Sequence, residues 1–288
     1  MSSNNRKIPF AGRSPLDDSP RAINRVVLGG ALLSTLVPLV WMVFMAFQRP
    51  RAIISPTFSP EFSLSNFEDL LGPQKVFDEQ ILNSVVLVIS ATTICVALSA
   101  LASYSLSQLN WHPKMVLVFL VSAGLIQLIP PMTLIPGLFY TLHILGLTGS
   151  LMTLVIVNVL INLPFAIIMM KFYFDSLPSE LREASQLDGA SEFSIFRLVM
   201  LPLASPGVAA VGIFVGIQVW NEFLFALIFS QGGEEAPITI GIGSLIQPWG
   251  INWGSMAAAG TMTAIPVIVL AIFASRQIVA GLTSGAIK

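Results

Sequence analysis

The residues whose types and spacing are best suited to a chemical task lie in one polar stretch, residues 175–207. This stretch holds five of the fifteen acidic residues and two of the arginines, and long uncharged segments flank it. Charged groups are costly in hydrocarbon, so we expect the stretch to extend into water. Its acids could then bind a basic or polar surface of another protein, although a solvated connector between two helices is the simpler alternative.

The sequence lacks the common motifs for phosphate binding and hydrolysis. None of the five lysines follows a glycine, so no Walker A phosphate loop is present. A Gly-x-Ser-x-Gly nucleophile elbow and a His-Glu-x-x-His zinc motif are also absent. The two histidines, His112 and His143, are far apart and Cys95 is the single cysteine, whereas metal sites usually need three or four ligands. We therefore predict that the chain is not an enzyme and that it holds no metal and no cofactor of its own.

The composition is that of a membrane protein with several spans. Of the 288 residues, 55% are hydrophobic and 10% are charged, whereas about 25% are charged in soluble domains. The net charge of −1 provides no field that would attract nucleic acid, so we expect membrane lipid as the surroundings and no nucleic acid as a partner. The predicted fold class is an all-α membrane protein.

Six apolar segments are long enough to cross the membrane, since about 20 apolar residues span its hydrocarbon core. They cover residues 26–47, 81–109, 115–138, 151–170, 208–230 and 256–275. Pro130, Pro131 and Pro136 predict that the third span is bent or broken. Between the first two spans, Ser65 and Glu68 have the spacing of a capping box, which predicts a short helix up to about residue 71.

The distribution of basic residues predicts the orientation of the chain. If both termini face the cytoplasm, eleven lysines and arginines lie inside and three lie outside, a bias that marks the cytoplasmic side. The predicted organisation is a cytoplasmic tail over residues 1–25, a six-helix transmembrane domain over residues 26–280 and a second cytoplasmic tail over residues 281–288. Residues 175–207 are then a cytoplasmic loop, and residues 231–254 are an outer loop.

The first half of the cytoplasmic loop has the signals of a short helix. Ser176 or Asp175 could cap a helix that begins near Pro178, because proline is favoured in the first turn. Asp188-Gly189 would end that helix, since glycine adopts the left-handed conformation without steric cost.

The second half of the loop predicts another helix. Ser191 could cap it, and Leu201-Pro202 would end it. Its apolar stripe at helical spacing consists of Phe193, Phe196, Val199 and Met200. The two helices together predict a helix–turn–helix elbow along the membrane surface.

Polar residues within the fifth span are Gln218, Asn221 and Glu222, of which Glu222 is the one acid inside a predicted span. Ionisable groups at membrane depth usually face the bundle interior or a wet cavity, so these residues could line a pathway or a gate. Alternatively, Glu222 is a packing residue bonded to a neighbouring asparagine, serine or backbone group. In the outer loop, Trp249 and Trp253 could stack on sugar rings or anchor the chain at the membrane interface.

Small residues at four-residue spacing predict where helices approach closely. The second span carries Ser99, Ser103 and Ser107, and the fifth carries Gly212-x-x-x-Gly216. Such spacing allows two helix backbones to approach each other in a membrane.

A longer motif carries a family resemblance. Glu183-Ala184-Ser-x-x-Asp188-Gly189-Ala190, followed by Phe196 and by Leu201-Pro202-x-x-x-Pro206, resembles the EAA loop of binding-protein-dependent ABC importer permeases. Ser185 departs from the motif, because the family usually has alanine there. Two further stretches, Trp220-Asn-Glu-Phe-Leu224 and the C-terminal Gly281-Leu-Thr-Ser-Gly-Ala-Ile-Lys288, resemble the carbohydrate-uptake subclass that includes the maltose permeases.

The resemblance implies a type I ABC importer permease fold in the bacterial plasma (inner) membrane. The chain would be half of a translocation pore for a sugar or sugar derivative, in a heterodimer with a second homologous permease subunit. Two copies of a cytoplasmic ATP-binding subunit would hold ATP and Mg, and an extracytoplasmic solute-binding protein or lipoprotein would dock outside.

The resemblance also assigns roles within the elbow. Glu183 would contact a basic or polar group of the ATPase, and Gly189 would supply the turn. The residues that it assigns to ATPase coupling are Glu183, Ala184, Asp188, Gly189, Ala190, Phe193, Phe196, Leu201 and Pro202.

Two other classes of function remain as alternatives. A secondary transporter driven by an ion gradient would need more intramembrane acids or cation ligands than Glu222 alone, and it would not need the elbow. A membrane-embedded enzyme would have few nucleophiles and metal ligands to work with.

Overall fold

A computed structural model describes residues 21–53, 60–72, 77–230, 233, 235–248 and 250–284, with side chains described within 23–272. The chain is almost entirely helical in this part. Its helices are α1 Arg21–Ala46, α2 Pro50–Ile53, α3 Ser65–Leu71, α4 Phe77–Gln108, α5 Pro113–Gln127, α6 Pro131–Ile144, α7 Leu151–Asp175, α8 Glu180–Leu187, α9 Glu192–Leu203, α10 Ser205–Trp220, α11 Leu224–Phe229, α12 Ile238–Gly243 and α13 Trp253–Ser284. A two-residue hairpin, β1 Ile246–Gln247 and β2 Gly250–Ile251, lies between α12 and α13.

The number of membrane-crossing helices agrees with the six predicted spans. Within the described residues, four helices are long and apolar enough to cross a membrane, and two bent helix pairs bring the number to six if each pair is one span. Helix α1 continues through Pro38 and starts at Arg21, inside the predicted N-terminal tail. Helix α13 starts before residue 256 and continues to Ser284, so it includes part of the predicted C-terminal tail.

The third predicted span is broken, as its prolines predict. Helices α5 and α6 meet at an angle of 98°. Pro131 occupies the first turn of α6, where its missing N–H costs nothing, and Pro130 precedes that helix in an extended conformation.

The fifth predicted span is also broken, and this break was not predicted. Helix α10 ends at Trp220 and α11 starts at Leu224, so residues 208–230 are not one continuous helix. At its other end, α10 meets α9 at an angle of 77°.

The serine stripe of α4 lies against α7, which confirms the predicted close approach. Ser99 and Ser103 are fully buried. The Ser103 hydroxyl donates a hydrogen bond to the backbone carbonyl of Ile167 over 2.8 Å, and the Ser107 hydroxyl donates to the Asp175 carboxylate over 2.6 Å. On another side of α4, Gly212 and Gly216 of α10 pack beside Val96 and Thr92.

The predicted short helix is present as α3, but its predicted cap is wrong. Leu64 is the residue before the helix, and no side chain caps it. The Ser63 hydroxyl instead accepts a hydrogen bond from the backbone N–H of Ser65 over 3.1 Å. Asn66 then fixes α3 by donating to the carbonyls of Ala46 and Gln48 over 2.9 and 2.7 Å.

The predicted outer loop is folded back onto α4 rather than open throughout. Helix α12 begins with Ile238, which is 1% exposed and whose backbone N–H donates to the Ser84 hydroxyl over 2.8 Å. The side chain of Asn83 donates to the carbonyl of Ala236. The hairpin that follows is exposed at both paired strands.

The main hydrophobic core joins α4, α7, α9 and α10. Buried members of this cluster come from all four helices, including Tyr104, Phe174, Phe196 and Val215. The second helix of the stretch 175–207 is therefore part of the same packed body as three spans.

Candidate functional site

The elbow that the sequence predicts at residues 175–207 is present, with α8 and α9 as its two arms. Gly189 lies between them with φ of +80°, in the left-handed region, and it confirms the predicted turn. The Ser191 hydroxyl accepts a hydrogen bond from the backbone N–H of Ser194, so the predicted cap of the second arm is also confirmed.

The predicted cap of the first arm is wrong. Ser179 precedes α8 and makes no side-chain cap. Asp175 belongs to α7, where its carboxylate accepts hydrogen bonds from Lys171 at 2.7 and 2.8 Å, and the Ser176 hydroxyl donates back to the carbonyl of Tyr173. Both predicted capping residues therefore form their side-chain hydrogen bonds at the end of α7 instead.

Helix α9 widens into a π-helical turn over Phe196–Met200. The backbone N–H of Leu201 bonds to the carbonyl of Phe196, five residues earlier. The helix continues through Pro202 to Leu203, so the prediction that it ends at Leu201-Pro202 is wrong by a short distance. The 77° bend to α10 follows at Ala204.

The buried side of α9 differs in part from the predicted stripe. Phe196 and Met200 are buried as predicted, and Ile195, which was not predicted, is fully buried with them. Phe193 is 64% exposed, and its ring lies 6.4 Å from the Phe196 ring on the same side of the helix. The Phe196 ring lies 5.2 Å from the Tyr104 ring, and this contact fixes α9 to α4.

Helix α8 differs from α9 in that none of its residues is buried. The side chains of Glu183 and Ala184 are exposed, as are Asp188 and Gly189 in the turn. Leu187 at the end of the helix is 90% exposed. Ala190 and Leu201 are partly buried against the core.

Four polar side chains, none of them a predicted site residue, meet at the base of the elbow. The Glu192 carboxylate accepts hydrogen bonds from the Tyr104 hydroxyl at 2.8 Å, from the Gln186 amide at 2.6 Å and from the Arg182 guanidinium. The Arg182 hydrogen bond lowers the pKa of the Glu192 carboxyl. Tyr104 lies 88 residues before Glu192, so no local pattern could have revealed the pair.

Just after the bend, Gly207 of α10 packs closely against another helix. It is buried against Tyr173 of α7, and a methyl group in place of its hydrogen would overlap the Tyr173 ring. The start of α10 is therefore held directly against the C-terminal end of α7.

The second set of predicted site residues lies at the other end of α10, about 24 Å away by the rise of a 16-residue helix. The Glu222 carboxylate accepts hydrogen bonds from the backbone N–H groups of Phe225 and Ala226 at 2.6 and 2.9 Å. Gln218 and Asn221 are exposed, and Asn221 donates to the carbonyl of Ile217. The structure therefore uses Glu222 to begin α11.

The two tryptophans have different outcomes. Trp253 begins α13 beside the hairpin and is 50% exposed. Trp249 lies outside the described residues. Among the residues that the structure describes, no group of three His, Cys, Asp or Glu side chains could hold a metal ion.

Residues 96–283 match the family "Binding-protein-dependent transport system inner membrane component". That range is more than half of the chain and includes the whole elbow. The chain belongs to this family. It is therefore a multi-pass inner-membrane component of a transport system, and the predicted EAA-loop resemblance is confirmed at the level of the family.

Individual proteins agree with the family assignment. The chain is 30% identical to the trehalose/maltose transport system permease protein MalG of Thermococcus litoralis, over 91% of this chain and 96% of the relative. It is 31% identical to the trehalose transport system permease protein SugB of Mycobacterium tuberculosis, over 92% and 96%.

A solved structure gives the same fold. It is a bacterial ABC transporter involved in the import of the acidic polysaccharide alginate, with a TM-score of 0.77, 22% sequence identity and coverage of 93% of this chain and 99% of that chain. The predicted ABC importer permease fold is confirmed by this likeness.

Proposed function

We propose that this chain is one of two permease subunits of an ABC importer that takes up a sugar or sugar derivative. Two relatives with trehalose or maltose in their names support the solute class, as does the Trp220–Leu224 motif. Since the family depends on binding proteins, an extracytoplasmic solute-binding protein is the expected donor of the solute. No observation on the chain favours the ion-gradient alternative.

The proposed complex contains a second homologous permease subunit and two copies of an ATPase that carry ATP and Mg. The absence of a phosphate loop in this sequence supports a separate ATPase. The excess of basic residues on one side supports cytoplasmic termini and a cytoplasmic elbow. The outer hairpin and Trp253 then lie on the side where a binding protein docks.

One observation carries the coupling role: α8 has no buried residue, while α9 buries one face, with Ile195, Phe196 and Met200, in the core that it shares with three spans. An exposed helix with Leu187 uncovered is suited to a groove on another subunit. A buried second arm is suited to pass on the movement of that subunit as a rigid-body displacement. In this proposal the closure of two ATP-bound subunits moves the elbow, and the spans open on the opposite side.

At the outer end of α10, we assign Gln218, Asn221 and Glu222 to the solute pathway. The exposed amides of Gln218 and Asn221 support this role, because isolated polar side chains in a span usually face a partner or a wet cavity.

The coupling role is tested with substitutions on the elbow. We expect Glu183→Lys to reverse the charge that meets the ATPase, and Gly189→Pro to destroy the turn, since proline cannot adopt positive φ. Both variants should lose most of the co-purifying ATPase and the ATP-dependent uptake of the solute found on the binding protein, while the spans stay folded.

The matched control is Glu68→Lys, which makes the same charge change at an exposed position of α3. It should retain the ATPase. Wild-type yields of ATPase with unchanged uptake in Glu183→Lys and Gly189→Pro would contradict the coupling role.

A further inference from the structure

The Glu192 carboxylate connects two helices, α4 and α8, because it accepts hydrogen bonds from both. We name Tyr104, Arg182, Gln186 and Glu192 the Glu192 cluster. Its donors come from α4, through Tyr104, and from α8, through Arg182 and Gln186. Arg182 also donates through Nε, over 3.3 Å to the second carboxylate oxygen, so the guanidinium spans both oxygens.

This cluster is what fixes the direction of α8. Helix α8 buries no residue, and Gly189 in the following turn has open space around its α-carbon. Among the described residues, the side-chain hydrogen bonds that leave α8 for another element all end on Glu192, because the Ser185 hydroxyl bonds within the helix. Without the cluster, α8 would be held by its two chain connections, the turn at Gly189 and the residues 176–179 that follow α7.

The other end of the cluster is rigid. Tyr104 is 5% exposed, and its ring lies 5.8 Å from Phe174 of α7 in an edge-on arrangement and 5.2 Å from Phe196 of α9. A phenol held on two sides by aromatic rings has little freedom to follow a mobile carboxylate. The hydroxyl of Tyr104 therefore defines a fixed point on α4 for the Glu192 carboxylate.

We propose that Glu192 is a positioning residue that locks α8 to α4, so that a displacement of the exposed arm reaches the spans without loss. This role rests on the proposed coupling function, in which an ATPase moves α8. The ionic bond within the elbow keeps α8 and α9 at one angle, and the bond to Tyr104 makes α4 move with both. Removal of Glu192 leaves an arm that the ATPase can still bind but whose angle to α4 is set only by its two chain connections, the turn at Gly189 and residues 176–179.

The test measures the α8–α4 distance in the full complex with pairs of spin labels. One label replaces the exposed Glu180 at the start of α8, which is not among the residues assigned to the ATPase contact, and the other replaces the exposed Asn110, just beyond the end of α4. Cys95 is fully buried and is changed to alanine in the background. In the wild-type chain we expect one narrow distance population that is the same without nucleotide and with ATP, Mg and vanadate.

Glu192→Ala should replace that single population by a broad one that shifts when nucleotide is added. Tyr104→Phe keeps the aromatic packing and removes only the hydroxyl, so it tests the lock in a chain that folds normally. Because both substitutions break the same connection, the double variant should add little to Glu192→Ala. The control Asp175→Asn removes the ion pair with Lys171 within α7 and the charge that accepts the bond from Ser107 of α4. Neither interaction contacts α8, so this variant should leave the distance unchanged.

Two results separate this proposal from the function on which it rests. A complex that retains the ATPase but keeps one narrow, unchanged distance in Glu192→Ala and Tyr104→Phe overturns the lock alone. A wild-type chain that captures no ATPase overturns the coupling function. Broadening in Asp175→Asn equal to that in Glu192→Ala also overturns the lock, since it would mean that any loss of polar contact loosens this region.

Discussion

The carboxylate of Glu222 accepts two backbone hydrogen bonds and in doing so begins α11. Side-chain caps of this kind stabilise a helix by about 0.5–2 kcal/mol. The same side chain carries the charge that would act on a solute in the pathway. Substitution can separate these two contributions, because glutamine keeps an acceptor oxygen and removes the charge.

We expect Glu222→Gln to assemble with its partners and to slow uptake, since glutamine keeps one of the two acceptor oxygens that begin α11 and removes the charge. Glu222→Ala should also change uptake more than assembly, with an added loss of thermal stability from the missing cap. Uptake kinetics and complex yield of both variants are the measurements. Normal uptake in Glu222→Gln would restrict Glu222 to a structural role, and Glu61→Gln, an exposed acid paired with Arg49, is the control.

Single residues were predictable where their partners are close in sequence. Gly189 and Ser191 have their predicted roles because a positive φ and an N-terminal cap depend on the next three residues. Asp175 was assigned wrongly because Lys171 and Ser107 hold it in α7, and Ser107 is 68 residues away. The bond between Tyr104 and Glu192 was beyond reach for the same reason.

At the scale of elements, the contact between α10 and α7 depends on the absence of a side chain at Gly207. A methyl group there would overlap the Tyr173 ring, whereas one at Gly212 would make an ordinary contact of 3.6 Å with Val96. The two glycines lie on one helix, so each is a control for the other.

We therefore expect Gly207→Ala to destabilise the protein by about 1–3 kcal/mol, as overpacking of a closely packed site does. Gly212→Ala should have a much smaller effect. The thermal unfolding midpoint of the purified complex is the measurement, and Tyr173→Ala combined with Gly207→Ala should recover part of the loss. Equal midpoints for the two single variants would contradict the close contact at Gly207.

The elements themselves were predictable to different degrees. Uncharged length located the four continuous spans, and Pro130 and Pro131 located the break in the third predicted span. Residues 221–223 contain no proline or glycine, so the sequence does not predict the break there. It depends on the Glu222 cap and on the hydroxyl of Thr239, which donates to the Glu222 carbonyl from the folded-back α12. The same folding back turned a predicted outer loop into a helix against α4.

At the scale of the whole molecule, the buried cluster shared by α4, α7, α9 and α10 makes the elbow continuous with three spans. Hydropathy could predict the number of spans. It could not predict which spans share a core, because that depends on contacts between distant segments. The exposed α8 is then the part of this body that is open to a partner.

The central claim is that this exposed arm receives the ATPase, and a site-directed cross-link tests it most directly. Cysteines placed at Ala184 and Leu187, in a background without Cys95, should form cross-links to the ATPase subunit in the assembled complex. A cysteine at Ile246, which is 59% exposed in the hairpin, should form none. Cross-links from the hairpin position and not from α8, or none from α8 in a complex that contains the ATPase, would contradict the account.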